Sequence, residues 1–380
     1  MATSLTNLVS EHLYEQRIRQ DSLSVEKQRG ISVRTSTASA EWKGITINII
    51  DTPGHIDFAG EVERAISALD YAVVIVSAVE GVRAHTENIL KSLDAANLPR
   101  IIFINKTDRT GADTSRVINE LKSISSQSHL VLTEFADDAS DNPKVKMIDG
   151  DAFRFSATEA LADICDEAAD AFLSDEVLSL KRAEELVRQE ISSCRLTPVV
   201  FGSAKYSIGI EELADALVKY MPDAKRRKTD DLCGIIFKIE HDKTLGKISH
   251  IRLFGGEIAN RDEVALFAPE EKITVQSDAV EIEAKPPVKE KVSQIKKFCG
   301  ARSTDTGIIK SGDVAAVCGL PSAKTGHFIG SVAVSESAKL VNPFLRVKVT
   351  PSDSDPLKIP ALAAALSELS DEEPYIDARW

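Results

Sequence analysis

Four residues directly after an apolar run have the side chains needed to recognise a purine base. The sequence Asn105-Lys106-Thr107-Asp108 follows the run at residues 101–104. The Asp108 carboxylate can accept hydrogen bonds from both N1–H and N2–H of guanine, a bidentate match that adenine cannot offer. Asn105 would brace the loop and reach the base edge, and the stem of Lys106 would lie along the ring face. Because ligands bind at the carboxyl ends of parallel strands, this placement predicts a guanine site.

A second motif ends the apolar run at residues 45–50 and reads Asp51-Thr52-Pro53-Gly54-His55. Asp51 could hold a magnesium ion through water, because magnesium keeps much of its hydration and takes few carboxylates. Gly54 lets its backbone N–H approach a terminal phosphate. The His55 imidazole on the same loop could orient or activate a water molecule. Alone the motif is typical of a turn, but Asn105 lies 54 residues downstream of Asp51, and the two motifs together favour a phosphate site.

A third motif, Gly202-Ser203-Ala204-Lys205, also ends an apolar strand. The backbone N–H groups of a Ser-Ala turn can donate hydrogen bonds to O6 of guanine. The dipeptide carries little weight by itself, and we interpret it as the second wall of the pocket that begins at Asn105.

A fourth motif, Arg29-Gly30-Ile31-Ser32, precedes a Ser/Thr-rich strand predicted at residues 33–42. A hydroxyl group on a mobile loop there could complete the coordination of magnesium and order the loop around a γ-phosphate. Read alone, the tetrapeptide is more typical of an ordinary turn.

Strands and helices alternate along the segment that carries these motifs. Apolar, mostly β-branched runs occur at residues 45–50, 71–77, 101–105 and 198–202. Helical patterns occur at residues 60–69, 84–96, 115–124, 157–173 and 210–220. This alternation predicts a parallel, doubly wound sheet. The stretch 126–151, rich in Ser, Asp and Asn, is interpreted as the irregular part of an insertion between two strands.

Past residue 231 the pattern changes to short alternating strands. These are predicted at residues 234–239, 248–254, 263–267, 272–276 and 313–317. No long helix separates them, which predicts a small all-β barrel or sandwich. One more strand at residues 343–350 and a helix at 355–369 would then begin a further domain that is cut short.

The amino-acid composition favours a soluble globular protein and argues against some kinds of partner. The chain has 380 residues, 43% hydrophobic and 28% charged, which is typical of a soluble globular protein. The net charge of −13 argues against binding nucleic acid through bulk positive charge, although local phosphate contacts remain open. The five cysteines form no CxxC pair, which fits a reducing cytosol. We expect a cytoplasmic monomer without membrane or sequence-specific DNA contacts.

Taken together, the four motifs resemble those of the translational GTPases. The segments EKQRGIS, NIIDTPGHIDF, FINKTD and FGSAKYSIGIEEL are similar to those of ribosome-dependent factors of the elongation factor G type. Within that group, the short insertion and the segment CGIIFKIEHDK most resemble the tetracycline-resistance ribosomal protection proteins. The resemblance runs from about residue 3 to the end of the chain. It implies GTP or GDP and Mg²⁺ as ligands, the ribosome as partner, and GTP hydrolysis as activity.

The resemblance also implies roles for individual residues. His55 would position the hydrolytic water when the ribosome docks, and Ile31 would form half of an apolar gate beside it. Asp51, Ser32 and Thr3 would serve magnesium, with Ser32 in place of the usual threonine. The nucleotide-binding set that it implies comprises Ile31, Asp51, Thr52, Pro53, Gly54, His55, Asn105, Lys106, Thr107, Asp108, Ser203, Ala204 and Lys205.

The fold implied is an α/β GTP-binding domain of the P-loop NTPase type, followed by an all-β barrel and the start of an α+β domain. The expected limits are residues 1–222, with an insertion at about 126–195, then 231–335 and 340–380. No glycine precedes Gly30, so no P-loop of the form GxxxxGK[ST] precedes the Arg29-Gly30-Ile31-Ser32 motif. On this alignment the first strand and the P-loop are missing, and Thr3 would be the P-loop hydroxyl. We therefore expect weak GTP binding and two neighbouring strands with exposed edges.

Three other interpretations stay open from the sequence. The chain could derive from a full elongation factor G and serve translocation. It could be a non-catalytic module that binds the ribosome or another partner. It could also be a truncated form of an intact enzyme.

Overall fold

The computed structural model describes residues 35–54, 59–135, 144–224, 231–242, 244–268, 274–276, 279–281, 286–299, 302–330, 347–350, 359–373 and 376. The chain divides into two compact units. Of the described residues, the first unit holds 38–49, 69–135 and 144–224. The second unit holds 35–37, 50–54, 59–68 and those from 231 onward.

Helices and strands both occur throughout the described ranges. The helices there are α1 (Ala59–Ile66), α2 (Ala84–Ala95), α3 (Thr114–Ile124), α4 (Gly150–Ala162), α5 (Asp166–Leu173), α6 (Leu180–Ser192), α7 (Ile210–Tyr220) and α8 (Ile359–Glu372). The strands there are β1 (Ser36–Trp42), β2 (Ile45–Asp51), β3 (Ala72–Ser77), β4 (Arg100–Asn105), β5 (Ser128–Val131), β6 (Thr133–Phe135), β7 (Val145–Met147), β8 (Leu196–Phe201), β9 (Cys233–Asp242), β10 (Gly246–Gly255), β11 (Glu257–Ala259), β12 (Glu263–Phe267), β13 (Thr274–Gln276), β14 (Ala279–Glu281), β15 (Val288–Lys291), β16 (Gln294–Cys299), β17 (Arg302–Asp305), β18 (Ile308–Lys310), β19 (Val314–Cys318) and β20 (Phe328–Gly330).

A four-stranded parallel sheet in the order β3-β4-β8-β5 forms the centre of the first unit. Residues 100–104 of β4 are at most 1% exposed, as expected of an apolar strand that is covered on both faces. Parallel neighbours need crossover connections, and α2 supplies the one between β3 and β4. The parallel α/β sheet predicted from the alternating pattern is confirmed.

The hairpin of β1 and β2 is a separate two-stranded sheet. Its turn residues Lys43 and Gly44 have φ angles of +49° and +77°, and two consecutive positive φ angles are typical of a type I′ turn. The indole N–H of Trp42 donates to Asp215 Oδ1 on α7 at 2.8 Å. This bond attaches the end of β1 to a helix of the first unit.

Two strand edges are open in the described part of the chain. There β2 pairs only with β1, and β3 pairs only with β4. Both strands expose apolar side chains, since Ile45 on β2 is 46% exposed and Ile75 on β3 is 48% exposed.

Two local predictions in the insertion were wrong. The stretch 126–151 contains a regular strand, because β5 pairs with β8 and buries Leu130, and β6 pairs with β7. The short apolar signal of β5 is surrounded by polar residues that favour a loop; residues 136–143 lie outside the described ranges. The single helix predicted at 157–173 is two helices, α4 and α5, because Cys165 has an extended backbone with φ −142°.

His129 on β5 gives the first unit a pH-dependent stability. The side chain is 8% exposed, and neither ring nitrogen has a hydrogen-bond partner among the described residues. Burial, together with the charges of Arg100 and Lys122, lowers its pKa to about 4. Below its ordinary pKa of about 6.5 the unfolded chain binds this proton while the folded chain does not, so stability falls as pH falls through the window 6.5 to 4.

We expect the free energy of unfolding to fall by about 2 kcal/mol between pH 7 and pH 5 because of His129 alone. Urea unfolding at both pH values would measure this in the original chain and in His129→Leu. The variant should lose about 2 kcal/mol less over the same interval. Equal losses in the two chains would show that His129 does not titrate in this way.

An antiparallel sheet in the order β15-β12-β20-β9-β10-β19-β16-β17 dominates the second unit. One apolar cluster takes Val264 from β12 and Ile295 from β16, although these strands lie near opposite ends of the sheet. The sheet therefore curls around a shared core, which agrees with the β-rich fold predicted for this half.

The C-terminal part of the second unit differs from the prediction in one respect. Residues 347–350 belong to no strand, and Val347 is 84% exposed, although a strand was predicted at 343–350; residues 343–346 lie outside the described ranges. The predicted helix at 355–369 corresponds to α8, which runs from Ile359 to Glu372. Within the described ranges, no helix is both long enough and apolar enough to span a membrane.

Candidate guanine-nucleotide site

Two of the predicted loops leave the parallel sheet at the same edge. The strands β4 and β8 are direct neighbours, and their register places Ile104 opposite Phe201. The next residues, Asn105 and Gly202, therefore begin their loops side by side. The N–H of Gly202 donates to the carbonyl of Ile104 at 3.0 Å, and the pairing thus continues to the edge.

The side chain of Asn105 joins the two loops. Its Oδ1 accepts hydrogen bonds from the backbone N–H of Lys106 at 2.8 Å and from that of Ala204 at 2.9 Å. The N–H of Thr107 donates to the carbonyl of Gly202 at 3.3 Å and adds a second link. The amide of Asn105 thus braces the loop, as its position after the strand predicted.

The backbone N–H groups of the Ser-Ala turn have partners within the protein. The N–H of Ala204 donates to Asn105 Oδ1, and the N–H of Ser203 donates to the carbonyl of Ile208 at 2.9 Å. That these groups face O6 of a bound guanine stays a prediction. The Nδ2 amide of Asn105 donates to none of the described residues.

Polar groups without protein partners surround this junction. Ser203 is fully buried, and its hydroxyl has no hydrogen-bond partner among the described residues. The Thr107 hydroxyl is also buried and has no hydrogen-bond partner among the described residues. Buried hydroxyl groups of this kind cost free energy unless a ligand or water satisfies them. The half-exposed Asp108 carboxylate likewise forms no hydrogen bond or ion pair with a described residue, so donors and an acceptor are present for a guanine base.

Lys106 has a partner that the sequence did not predict. Its Nζ lies 2.8 Å from Oε1 of Glu80, and its backbone has a φ of +66°. The hydrogen bond from Lys106 and its charge hold the pKa of Glu80 below its usual range. The strand register could have indicated this contact, because β3 ends at Ser77 opposite Asn105 and the turn with Glu80 follows at the same edge.

Helix α3 holds that turn in place. Arg116 donates to the carbonyls of Ala78 and Val79 at 3.3 and 2.9 Å, and Glu120 accepts from the N–H of Val82 at 2.8 Å. Lys205, on the other side of the site, places its Nζ 4.8 Å from the centre of the Tyr206 ring.

The predicted phosphate-side residues are described only in part. Asp51 ends β2 as predicted, Thr52 and the buried Pro53 follow it, and Gly54 is exposed. These four residues belong to the second unit, whereas the loops at Asn105 and Gly202 belong to the first. The predicted residues Thr3, Ile31, Ser32 and His55 lie outside the described residues.

No preformed metal cluster occurs in the part of the chain that the structure describes. There, no three His, Cys, Asp or Glu side chains are grouped so that they could hold a metal ion. Asp51 can contribute one carboxylate, which is compatible with magnesium that takes its other ligands from phosphates and water.

The sequence model described as Elongation factor Tu GTP binding domain matches residues 3–223. The chain therefore belongs to the translational GTPase family that this domain defines. The site at Asn105 and the parallel sheet that carries it lie within the matched region.

Several curated proteins are similar to the chain. It is 33% identical over 362 residues to tetracycline resistance protein TetP of Clostridium perfringens, covering 94% of this chain and 52% of that protein. It is 30% identical to TetM of Neisseria meningitidis, with 95% and 53% covered. It is 29% identical to elongation factor G 1 of Treponema denticola, with 94% and 57% covered. The chain thus spans about half the length of the curated relatives that it matches.

A solved structure shares the fold. The crystal structure of a Thermus thermophilus protein matches with a TM-score of 0.78 at 20% sequence identity, covering 99% of this chain and 60% of that one. At this identity the likeness concerns the fold alone.

Proposed function

We propose that the chain is the guanine-binding part of a ribosome-dependent GTPase of the tetracycline ribosomal protection type. The observation that supports this most strongly is the Asn105 side chain, which ties the NKTD loop to the GSAK loop beside the unpaired Ser203 hydroxyl. The similarity to TetP at 33% identity favours the protection type over other translational GTPases.

On the base side, each group has a distinct task. The Asp108 carboxylate accepts the N1 and N2 protons of guanine, and Asn105 Nδ2 donates to the opposite edge, where the Ser203-Ala204 turn forms the second wall of the pocket. The stem of Lys106 covers one ring face while its ammonium group stays on Glu80. An adenine base would present a donor where guanine presents O6 and would lack the N1 proton, so it would leave Asp108 unmatched.

On the phosphate side, Asp51, Ser32 and Thr3 would hold magnesium, which neutralises charge on the phosphates when bound. The N–H of Gly54 would donate to the γ-phosphate, and Thr52, Pro53 and Ile31 would shape the surrounding loop. His55 would orient a water molecule whose oxygen forms a bond to the γ-phosphorus while the bond to the bridging oxygen breaks. The products are GDP and inorganic phosphate.

The proposed domains are a G domain at 1–222 and a β-barrel at 231–335, both of which would contact the ribosome, and an α+β segment at 340–380 that follows them. We place the chain in the cytoplasm as a monomer.

Two alternatives are kept beside this proposal. The similarity to elongation factor G 1 at 29% identity supports a translocation factor. The other is a module that binds the ribosome without turnover, which the test below distinguishes by its lack of stimulated hydrolysis.

Ribosome co-sedimentation combined with GTP hydrolysis would test the proposal. We expect the chain to co-sediment with ribosomes and to hydrolyse GTP faster in their presence. His55→Ala should abolish the stimulated hydrolysis and retain co-sedimentation, whereas the matched variant His85→Ala, in α2, should retain both. Failure to co-sediment would contradict the proposal, and co-sedimentation without stimulated hydrolysis would favour the non-catalytic module.

A further inference from the structure

The carboxylate of Glu61 joins the segment that follows the RGIS motif to the helix that follows the DTPG motif. Glu61 on α1 accepts hydrogen bonds from the backbone N–H of Thr35 at 3.2 Å and from the Thr35 hydroxyl. Thr35 lies three residues after Ser32, and α1 begins five residues after Gly54. The position of Thr35 is therefore tied to the helix that follows the DTPG motif.

Arg64 extends this contact to the C-terminal helix. Its guanidinium donates to Glu61 Oε1 at 2.7 Å and to both carboxylate oxygens of Glu373, at 2.8 and 2.9 Å. The Arg64 side chain is 9% exposed, that of Glu61 14% and that of Glu373 33%. Glu373 directly follows α8, so a two-bond ion pair connects α1 with the end of α8.

Glu61 and Arg64 are largely shielded from water, Glu373 is partly shielded, and the charges of the three groups depend on one another. Burial alone would raise the pKa of Glu61, but the charge of Arg64 and the hydrogen bonds from Thr35 outweigh it and lower that pKa. For Glu373, burial prevails over the attraction of Arg64, and its pKa is raised. Removing one partner of such a group leaves a buried charge uncompensated, which is costly.

Thr35 is also held from the antiparallel sheet. The Nζ of Lys238 on β9 contacts both the carbonyl of Thr35 and the carboxylate of Glu240. Glu240 also contacts His250 Nε2 on β10 at 3.0 Å. Contacts therefore run without a gap from the sheet through Thr35 and Glu61 to Arg64, all within the second unit.

The neighbours of Glu373 on the chain make different contacts. Glu372 Oε1 lies 3.1 Å from His241 Nδ1, and Asp371 Oδ2 lies 2.7 Å from Lys247 Nζ. These pairs attach α8 to β9 and β10 and bypass Arg64. Because α8 has no fully buried side chain, its attachment depends strongly on such polar contacts.

We propose that Glu61 and Arg64 are positioning residues that couple the end of α8 to the helix after the DTPG motif and to Thr35. Loss of the Glu373 carboxylate charge would release α1 and Thr35 together. The proposal rests on the proposed function, because the DTPG loop matters for activity only if the chain hydrolyses GTP.

Hydrogen exchange of the full chain tests the coupling without relying on activity. We expect Glu373→Gln to increase exchange of the α1 amides about tenfold, as the loss of roughly 1.4 kcal/mol of local stability would do. The matched variant Glu372→Gln should increase exchange in α8 and leave α1 unchanged. In an Arg64→Gln background, Glu373→Gln should add nothing further to α1 exchange.

The kinetics of GTP hydrolysis distinguish a positioning role of Glu61 and Arg64 from a general structural role. Glu373→Gln should lower kcat of the ribosome-stimulated reaction with little change in KM for GTP, whereas Glu372→Gln should leave both unchanged. Equal α1 exchange in Glu373→Gln and Glu372→Gln would overturn the coupling. Failure of the proposed function would appear separately, as absent GTP hydrolysis by the original chain while the α1 response persists.

Discussion

Replacing Asp108 with asparagine is expected to change the base preference of the chain from guanine to xanthine. The amide Nδ2 of asparagine donates where the carboxylate accepts, so it repels N2–H of guanine and pairs with O2 of xanthine. A bidentate match of this kind is worth about 1–3 kcal/mol of discrimination, or roughly tenfold to a hundredfold in relative affinity. Competition between GDP and XDP for the original chain and for Asp108→Asn would measure it.

The same substitution five residues downstream provides the control. Asp113 caps α3, where its side chain accepts from the N–H of Arg116 at 2.8 Å, and it faces no base in the proposed arrangement. Asp113→Asn should therefore keep the preference for GDP. An unchanged preference in Asp108→Asn, or an equal change in both variants, would remove Asp108 from the base site.

Replacing Gly202 with alanine is expected to destabilise the first unit strongly. A Cβ at this position would lie 2.2 Å from the carbonyl oxygen of Ile208 and 2.6 Å from the Phe103 ring. The first is a backbone atom in a paired turn and the second is a fully buried ring, so neither can move aside at low cost. We expect a loss of about 3 kcal/mol in the free energy of unfolding, measured in urea.

A second glycine provides the comparison. A Cβ added to Gly54 would have no heavy atom of a described residue within 4 Å, and this glycine does not have a positive φ angle. Gly54→Ala should therefore change the free energy of unfolding by no more than about 0.5 kcal/mol. If Gly202→Ala is equally mild, the loop after β8 does not have the tight packing described.

The strands that carry the site could be predicted because their residue types favour a buried strand over a helix or a loop. Apolar, β-branched runs such as those of β4 and β8 bury both faces, and this pattern is independent of the rest of the chain. The strand β5 was missed because four residues among Ser and Asp give too little signal. The break between α4 and α5 was missed because Cys165 is neither a proline nor a glycine, and its extended backbone is set by packing.

The candidate site was predictable in its motifs but not in its detailed bonding. Both loops meet as expected, because neighbouring parallel strands end at one edge. The hydrogen bond from the N–H of Ala204 to Asn105 joins two loops at 2.9 Å, and the spacing of these residues in the sequence does not fix that distance. Arg64 and Glu373 are 309 residues apart, and only the folded second unit brings these charges together.

Hydrogen exchange of the original chain with millimolar GDP or ADP distinguishes a guanine site from a site that accepts any purine. We expect GDP to slow exchange of the amides at Lys106 and Ala204, since both donate to Asn105, the residue that joins the two loops at the base site. ADP at the same concentration should leave them unchanged. Equal protection by both nucleotides, or protection by neither, would contradict a guanine site at this edge of the sheet.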